Sequence, residues 1–400
     1  MRTILRLVRY EKSPVATDMV ASILYVSAGS GLSGLFGFIA VSRLGGSVGV
    51  VGVLASATYV GYLWNLFLSR TTARVSLGQS IVAVCVLSGV LVQMAGFQRS
   101  VPAYTALVIG FLLLFGLFDV QYNSLIPTLY PEPERPRRLS TRYLGISVAS
   151  ALASAAFGRM SAGPSGHLPA FGVCGALMLF SAIIFRSLRV SGQARMEPFT
   201  VREVLDTVFG DPRFRAVAAV LTLYGWVGAG SATVLVLLYR AAGLTEWSLG
   251  ILGAINLGGT VLTALLVTPG LRFRGGIANF RLCFLASSAA MLIYLLTWFT
   301  PLKTHPFWAL ACGNLLFGAS NAVWNLAIQT TAHNLASPGK GTLAVNSLMI
   351  VIGIRGMLAP LLVAAFLGWA GIGVTLSVSL VVAIICAATA TTPAPTASWK

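Results

Sequence analysis

Charge is what this chain has least of. Only 9% of its 400 residues are charged, and Asp and Glu together number 10, where a soluble domain carries about 25% charged residues. With 56% hydrophobic residues and a mean hydropathy of +0.85, the composition excludes a water-soluble domain and a membrane anchor bearing a large soluble enzyme. Histidine is nearly absent as well. His167, His305 and His333 stand alone in loops or at the ends of apolar stretches, with no paired carboxylates, metal spacing or phosphate loop, so an intramembrane enzyme has no visible catalytic cluster. Cys85, Cys174, Cys283, Cys312 and Cys386 fall inside apolar segments without CxxC spacing, which excludes a disulfide framework and a zinc site. No metal and no cofactor are expected. The segment from Met1 to Asp18 is basic and lacks the apolar core and small-residue cleavage site of a signal peptide, so it is expected to stay attached.

What fills the chain is long apolar runs. A spanning helix needs about 20 apolar residues, and twelve such runs occur, at 17–41, 48–68, 76–97, 103–129, 140–162, 169–187, 215–239, 247–268, 278–299, 307–331, 341–367 and 371–390. The net charge of +17 would suggest nucleic acid on a soluble protein. Here the basic residues gather in alternate joints, while the other joints hold only Arg43, Arg99, Arg159, Arg240 and Lys303. Loops that stay in the cytoplasm keep their Lys and Arg. The charge is thus topological: both termini are expected inside, in a plasma (inner) membrane, with lipid rather than nucleic acid as the surrounding partner.

The longest polar interval, Arg186 to Arg215, divides the chain near its midpoint. This gives an expected organisation of a first six-helix bundle over 1–188, a cytoplasmic linker over 189–214 and a second six-helix bundle over 215–400. Thr200 and Glu203 in the linker have capping-box spacing, and Val201, Val204, Leu205, Val208 and Phe209 recur on one helical face. A short amphipathic helix is expected there, lying on the membrane interface or packed on the protein's inner surface.

The halves also repeat each other. Phe115-Gly116, Asp119, Tyr122, Asn123, Ile126 and Thr128 are answered by Phe317-Gly318, Asn321, Trp324, Asn325, Ile328 and Thr330, every pair at one constant offset. Arg43 with Gly52-Val53-Leu54 is echoed by Arg240 with Gly250-Ile251-Leu252. Six runs per half in the same order mean a parallel repeat about an axis along the membrane normal. The expected fold is therefore an all-α polytopic membrane protein, twelve transmembrane helices in two six-helix bundles related by a parallel pseudo-two-fold.

Twelve runs, inside termini, a six-plus-six repeat and a basic central loop resemble the major facilitator superfamily of transporters over the whole chain. The superfamily's signature loop after the second span is matched by Ser69-Arg70-Thr71-Thr72-Ala73-Arg74, and its second-half counterpart by Thr268-Pro269-Gly270-Leu271-Arg272-Phe273-Arg274. Both keep the basic residues and lack the acid. Gly158 followed by Gly163-Pro164-Ser165-Gly166 faintly resembles the glycine-proline motif of drug exporters, at a different spacing. The resemblance implies alternating access to a site near the bilayer midplane, a monomer, and Arg70, Arg74, Arg272 and Arg274 in cytoplasmic gate loops. Gly31, Gly34 and Gly37 in the first run and Gly225, Gly228 and Gly230 in the seventh fit close helix approach or bending.

Two charges fall deep in the apolar runs, Asp119 and Arg355. Each would cost about 2.5–3.5 kcal/mol facing lipid at mid-bilayer, so each is a candidate for proton coupling or gating, as a pair across the halves or as a static structural partner. Gln121, Tyr122, Asn123, Asn314, Asn321, Trp324, Asn325 and Gln329, with Tyr25, Tyr224 and Trp226, are candidate cavity residues. Neutral amides and aromatic rings suit amphiphilic small molecules. The leading expectation is proton-coupled efflux of such a compound, as in drug-exporting branches. Its alternatives are a carrier of an anionic metabolite clamped by Arg355 and a non-transporting protein on the same fold.

Overall fold

The computed structural model describes residues 14–72, 76–130, 135–188, 200–266, 276–300, 306–335 and 341–390. Among them the chain is helical throughout: α1 Pro14–Ser42, α2 Val48–Thr72, α3 Leu77–Gly96, α4 Val101–Leu129, α5 Arg135–Ser161, α6 Leu168–Arg186, α7 Val201–Gly210, α8 Pro212–Gly228, α9 Ser231–Ala241, α10 Glu246–Leu266, α11 Gly276–Phe299, α12 Pro306–Leu335 and α13 Gly341–Thr389. Eight segments are long and apolar enough to cross a membrane, and Val48–Trp64 is a shorter apolar stretch. The last of the eight, Asn346–Thr389, has 44 residues, and Gly371 divides it at φ 79. With α8 and α9 forming one span and α13 two, the fold is the expected twelve-span, all-helical one, and the protein is a multi-pass membrane protein.

The helix ends follow local chemistry. Ser76 caps α3 by accepting from the Gln79 N–H, Asp211 caps α8 by accepting from the Arg213 N–H, and prolines occupy the first turns of α4, α6 and α8. Ser76 and Asp211 thereby satisfy N–H groups that have no partner inside the helix, and proline brings no N–H to satisfy. The capping box closes at α7, where Thr200 and Glu203 satisfy each other's backbone N–H groups. Its apolar stripe is split: Val204 and Val208 are buried, and Val201, Leu205 and Phe209 remain exposed.

The seventh span, expected over 215–239 with glycines that fit close approach or bending, runs over α8 and α9. It breaks at Ala229–Gly230, where the Ala229 and Gly230 N–H groups both donate to the Gly225 carbonyl. A Cβ at Gly230 would lie 2.4 Å from the Trp226 carbonyl oxygen and 2.6 Å from Val363. Glycine and alanine keep hydropathy high through this break, so an apolar run cannot reveal it.

The chain forms two compact units, Met1–Pro198 with Leu244–Ala254, and Phe199–Gly243 with Ile255–Lys400. In the first, α2 and α4 meet backbone to backbone: a Cβ at Gly61 would stand 2.3 Å from the Leu113 carbonyl oxygen, and one at Gly116 2.1 Å from that of Thr58. In the second, α10 and α12 meet in the same way: a Cβ at Gly259 would stand 2.2 Å from the Leu315 carbonyl oxygen, and one at Gly318 1.7 Å from that of Asn256. Small residues at such crossings let dispersion and weak polar contacts replace the hydrophobic drive that lipid removes. Of the other candidate glycines, Gly31 packs against Ala153, while Gly34 faces open space.

Candidate functional site

In the first unit the polar side chains converge where α1 begins, α4 ends and α5 begins. Asp18 lies one turn into α1 and is fully buried. Its Oδ2 accepts hydrogen bonds from the hydroxyls of Tyr122, at 2.5 Å, and Tyr130. Among the described residues nothing hydrogen-bonds its Oδ1. Arg142 in α5, 3% exposed, donates from Nε to the Ser22 hydroxyl at 2.9 Å. Its guanidinium stands 3.8 Å above the Tyr122 ring, a desolvated geometry in which cation–π attraction reaches about 2 kcal/mol. Farther along α4, Asp119 accepts from the Tyr62 hydroxyl of α2 at 3.2 Å. Arg142 is within electrostatic reach of both carboxylates.

Asp18 and Arg142 are buried charges that the sequence pattern did not single out beside Asp119 and Arg355. Both stand near span ends, where hydropathy blends them into loops. The signal was present in Pro14, which favours the first turn of a helix and so places Asp18 inside α1.

In the second unit Arg355 of α13 is 6% exposed. Its Nη1 donates to the Leu221 carbonyl oxygen at 2.6 Å, and its guanidinium lies 4.4 Å from the Trp324 ring centre and 5.8 Å from that of Tyr224. The aliphatic stem passes over Gly225, where a Cβ would come within 3.1 Å. Tyr224 stacks on Trp324 at 5.2 Å and bonds the hydroxyls of Ser287 and Ser320. No Asp or Glu follows Glu246 in the sequence. The only acids this unit contains are Glu203, Asp206 and Asp211, in and beside the exposed side of α7.

The remaining candidates divide by burial. Tyr25 is fully buried, bonded to Ser88 at 2.8 Å and packed on Phe118 at 4.1 Å. Gln121 is also fully buried, and neither of its amide atoms has a hydrogen-bond partner among the described residues. Asn314 and Tyr239 exchange hydrogen bonds at 2.8 and 3.1 Å. Trp226 donates to the Ser379 hydroxyl at 3.2 Å. Asn123, Asn321 and Trp324 are half-buried. Arg74, Arg272 and Arg274 lie outside the described residues, as do the side chains of Arg70, Asn325 and Gln329.

A second polar cluster occupies the far end of the first unit. Arg43, just past α1, donates from Nε to Glu246 Oε1 at 2.6 Å and from Nη2 to the Ser161 carbonyl oxygen at 2.7 Å. Burial, then the nearby Arg43 and Arg99, hold the buried His167 down to about 4, against a smaller upward pull from Glu246.

No protein-family model matches the chain, and no curated protein matches by sequence. Solved structures do. A nucleoside transporter, NupG, superposes with a TM-score of 0.74 at 12% identity, covering 94% of this chain and 98% of that one. A bacterial homologue of the human lysosomal transporter Spinster gives 0.70 at 15%, covering 95% and 97%. The human organic anion transporter MFSD10 gives 0.68 at 15%, covering 96% and 100%. At such identities the likeness establishes the fold alone, shared with these three proteins over nearly the whole chain.

Proposed function

We propose that the protein is a secondary transporter that exports a small amphiphilic organic molecule by alternating access, in exchange for protons. The observation that carries this is Asp119, a carboxylate within a membrane span, held by one tyrosine hydroxyl and near one guanidinium. An intramembrane acid that faces protein is a default proton or substrate site. Aromatic and amide side chains on α4, α8 and α12 supply a lining suited to amphiphiles, and the basic joints orient both termini to the cytoplasm. The proteins of similar fold named above carry different cargoes, and one fold is compatible with transport of many kinds.

Arg355 favours a second reading, transport of an organic anion. Its span and every span after it lack acids, and its guanidinium, beside the Leu221 carbonyl oxygen and the Trp324 and Tyr224 rings, is a buried cation that a carboxylate ligand can engage through two parallel hydrogen bonds. A thermal-shift screen of the purified protein with tetraphenylphosphonium and benzoate separates the two. A ligand at ~100 times its dissociation constant stabilises by about 2.7 kcal/mol. Stabilisation by the cation, lost in Asp119→Asn, followed by proton release into vesicles, supports export. Stabilisation by benzoate, lost in Arg355→Gln, supports the anion carrier and removes the export reading.

A further inference from the structure

We propose that Asp18 is a second proton site, at the cytoplasmic end of the first unit, which shares Arg142 with Asp119 as a common counter-charge. The inference rests on the reading of Asp119 as a proton carrier and on cytoplasmic termini, and it adds a residue and a route that this reading lacks. Its basis is geometric. Asp18 and Asp119 sit at different depths, one at the start of α1 and the other about three turns before the end of α4. The guanidinium of Arg142 stands 3.8 Å over the ring of Tyr122, which donates to Asp18 and lies one turn beyond Asp119 on α4. Two carboxylates and one guanidinium leave one negative charge, which a buried cluster removes by binding one cation.

The vacant position is defined. Tyr122 and Tyr130 both donate to Asp18 Oδ2, so Oδ1 is the oxygen left to receive a proton. Among the described residues on the other elements packed on this part of α1, α6 contributes the Ser181 hydroxyl, which donates to the Ala21 carbonyl oxygen, and α3 contributes Ser88, bonded to Tyr25. In the loading step a hydronium ion transfers its proton to Oδ1. An O–H bond forms, water is left behind, and Arg142 is then balanced by Asp119 alone. In the reverse state the proton is on Asp119, and Asp18 balances Arg142. Alternation of the proton between two acids moves one charge between two depths while the guanidinium stays stacked on Tyr122.

Infrared pH titration of the purified protein tests this without a known substrate, by following the carbonyl stretch of protonated carboxylic acids. The wild type is expected to show one protonated carboxyl near neutral pH. Asp18→Asn and Asp119→Asn should each abolish it, because either leaves one acid paired with one base, and Tyr130→Phe should shift its titration with the fold intact by circular dichroism. Loss of the band in Asp119→Asn but not in Asp18→Asn overturns the shared site and leaves the proposed function standing. Loss in Asp18→Asn alone overturns the sharing and removes Asp119 from proton coupling. A band unaffected by either substitution overturns both. Repeating the titration with sodium in place of choline should change nothing; suppression of the band by sodium would assign the site to a metal cation and overturn the proton assignment.

Discussion

In the first unit Tyr25 bonds Ser88, 63 residues farther on; in the second Tyr224 bonds Ser287, also 63 residues farther on. Paired glycines join α2 to α4 in one unit and α10 to α12 in the other. In each, a guanidinium lies over the aromatic ring at corresponding positions of the repeat, Arg142 over Tyr122 and Arg355 over Trp324. The units differ in acids. The first buries Asp18 and carries Asp119 beside its arginine, whereas the second unit's arginine is met by a backbone carbonyl and rings. A repeated scaffold thus carries unrepeated charge. Packing contacts bind both copies to one sequence pattern, while the polar chemistry of each is free to specialise.

The sharpest way to break the comparison is to neutralise each arginine. Arg142→Met leaves two carboxylates without their base and should cost about 3–5 kcal/mol, the range for breaking a buried ion pair. Arg355→Met removes a guanidinium bonded to the Leu221 carbonyl oxygen and should cost less, about 1.5–3 kcal/mol for lost hydrogen bonding to a charged group. Denaturation of both variants in one detergent measures the difference, and equal losses would contradict the asymmetry. Next come the glycine crossings. Gly116→Ala and Gly318→Ala each drive a methyl into a facing carbonyl, with an expected loss of about 1–3 kcal/mol for overpacking, similar in the two if the scaffold is repeated. Removing the hydroxyls, in Tyr25→Phe and Tyr224→Phe, should cost about 1 kcal/mol each. Tyr224 is expected to be the costlier, since it serves two serines.

The smallest effect concerns His167, which has no equivalent in the second unit's spans. Its value lies near 4 in the fold against an ordinary 6.5, so the unfolded chain binds the proton more readily. Stability should fall as pH drops from about 6.5 toward 4, by under about 1 kcal/mol between pH 7 and pH 6. His167→Gln should flatten that part of the profile in a thermal-unfolding series.

Much of the architecture was legible in the sequence because length and apolarity dictate spans. The linker helix was legible for a different reason, since the Thr200–Glu203 spacing is itself a hydrogen-bond geometry. The charge cluster was not. A window that averages about 19 residues smooths a lone acid at Asp18 into its loop, and no linear pattern tells Asp18 of Tyr130 across the bundle. Asp119 was visible because its apolar neighbours isolate it. Its partner Tyr62 comes from another helix at no fixed spacing, so only the folded chain could identify it.

The break at Gly230 turns one span into two rods with separate fastenings. The rod before it is bolted by Tyr224 to Ser287 and Ser320, by the Leu221 carbonyl to Arg355 and by Trp226 to Ser379. The rod after it is held by Tyr239 to Asn314. Bending at the joint therefore strains a pair of backbone hydrogen bonds and leaves every one of those side-chain fastenings whole, which makes the seventh span an elbow that can flex without unlocking either forearm.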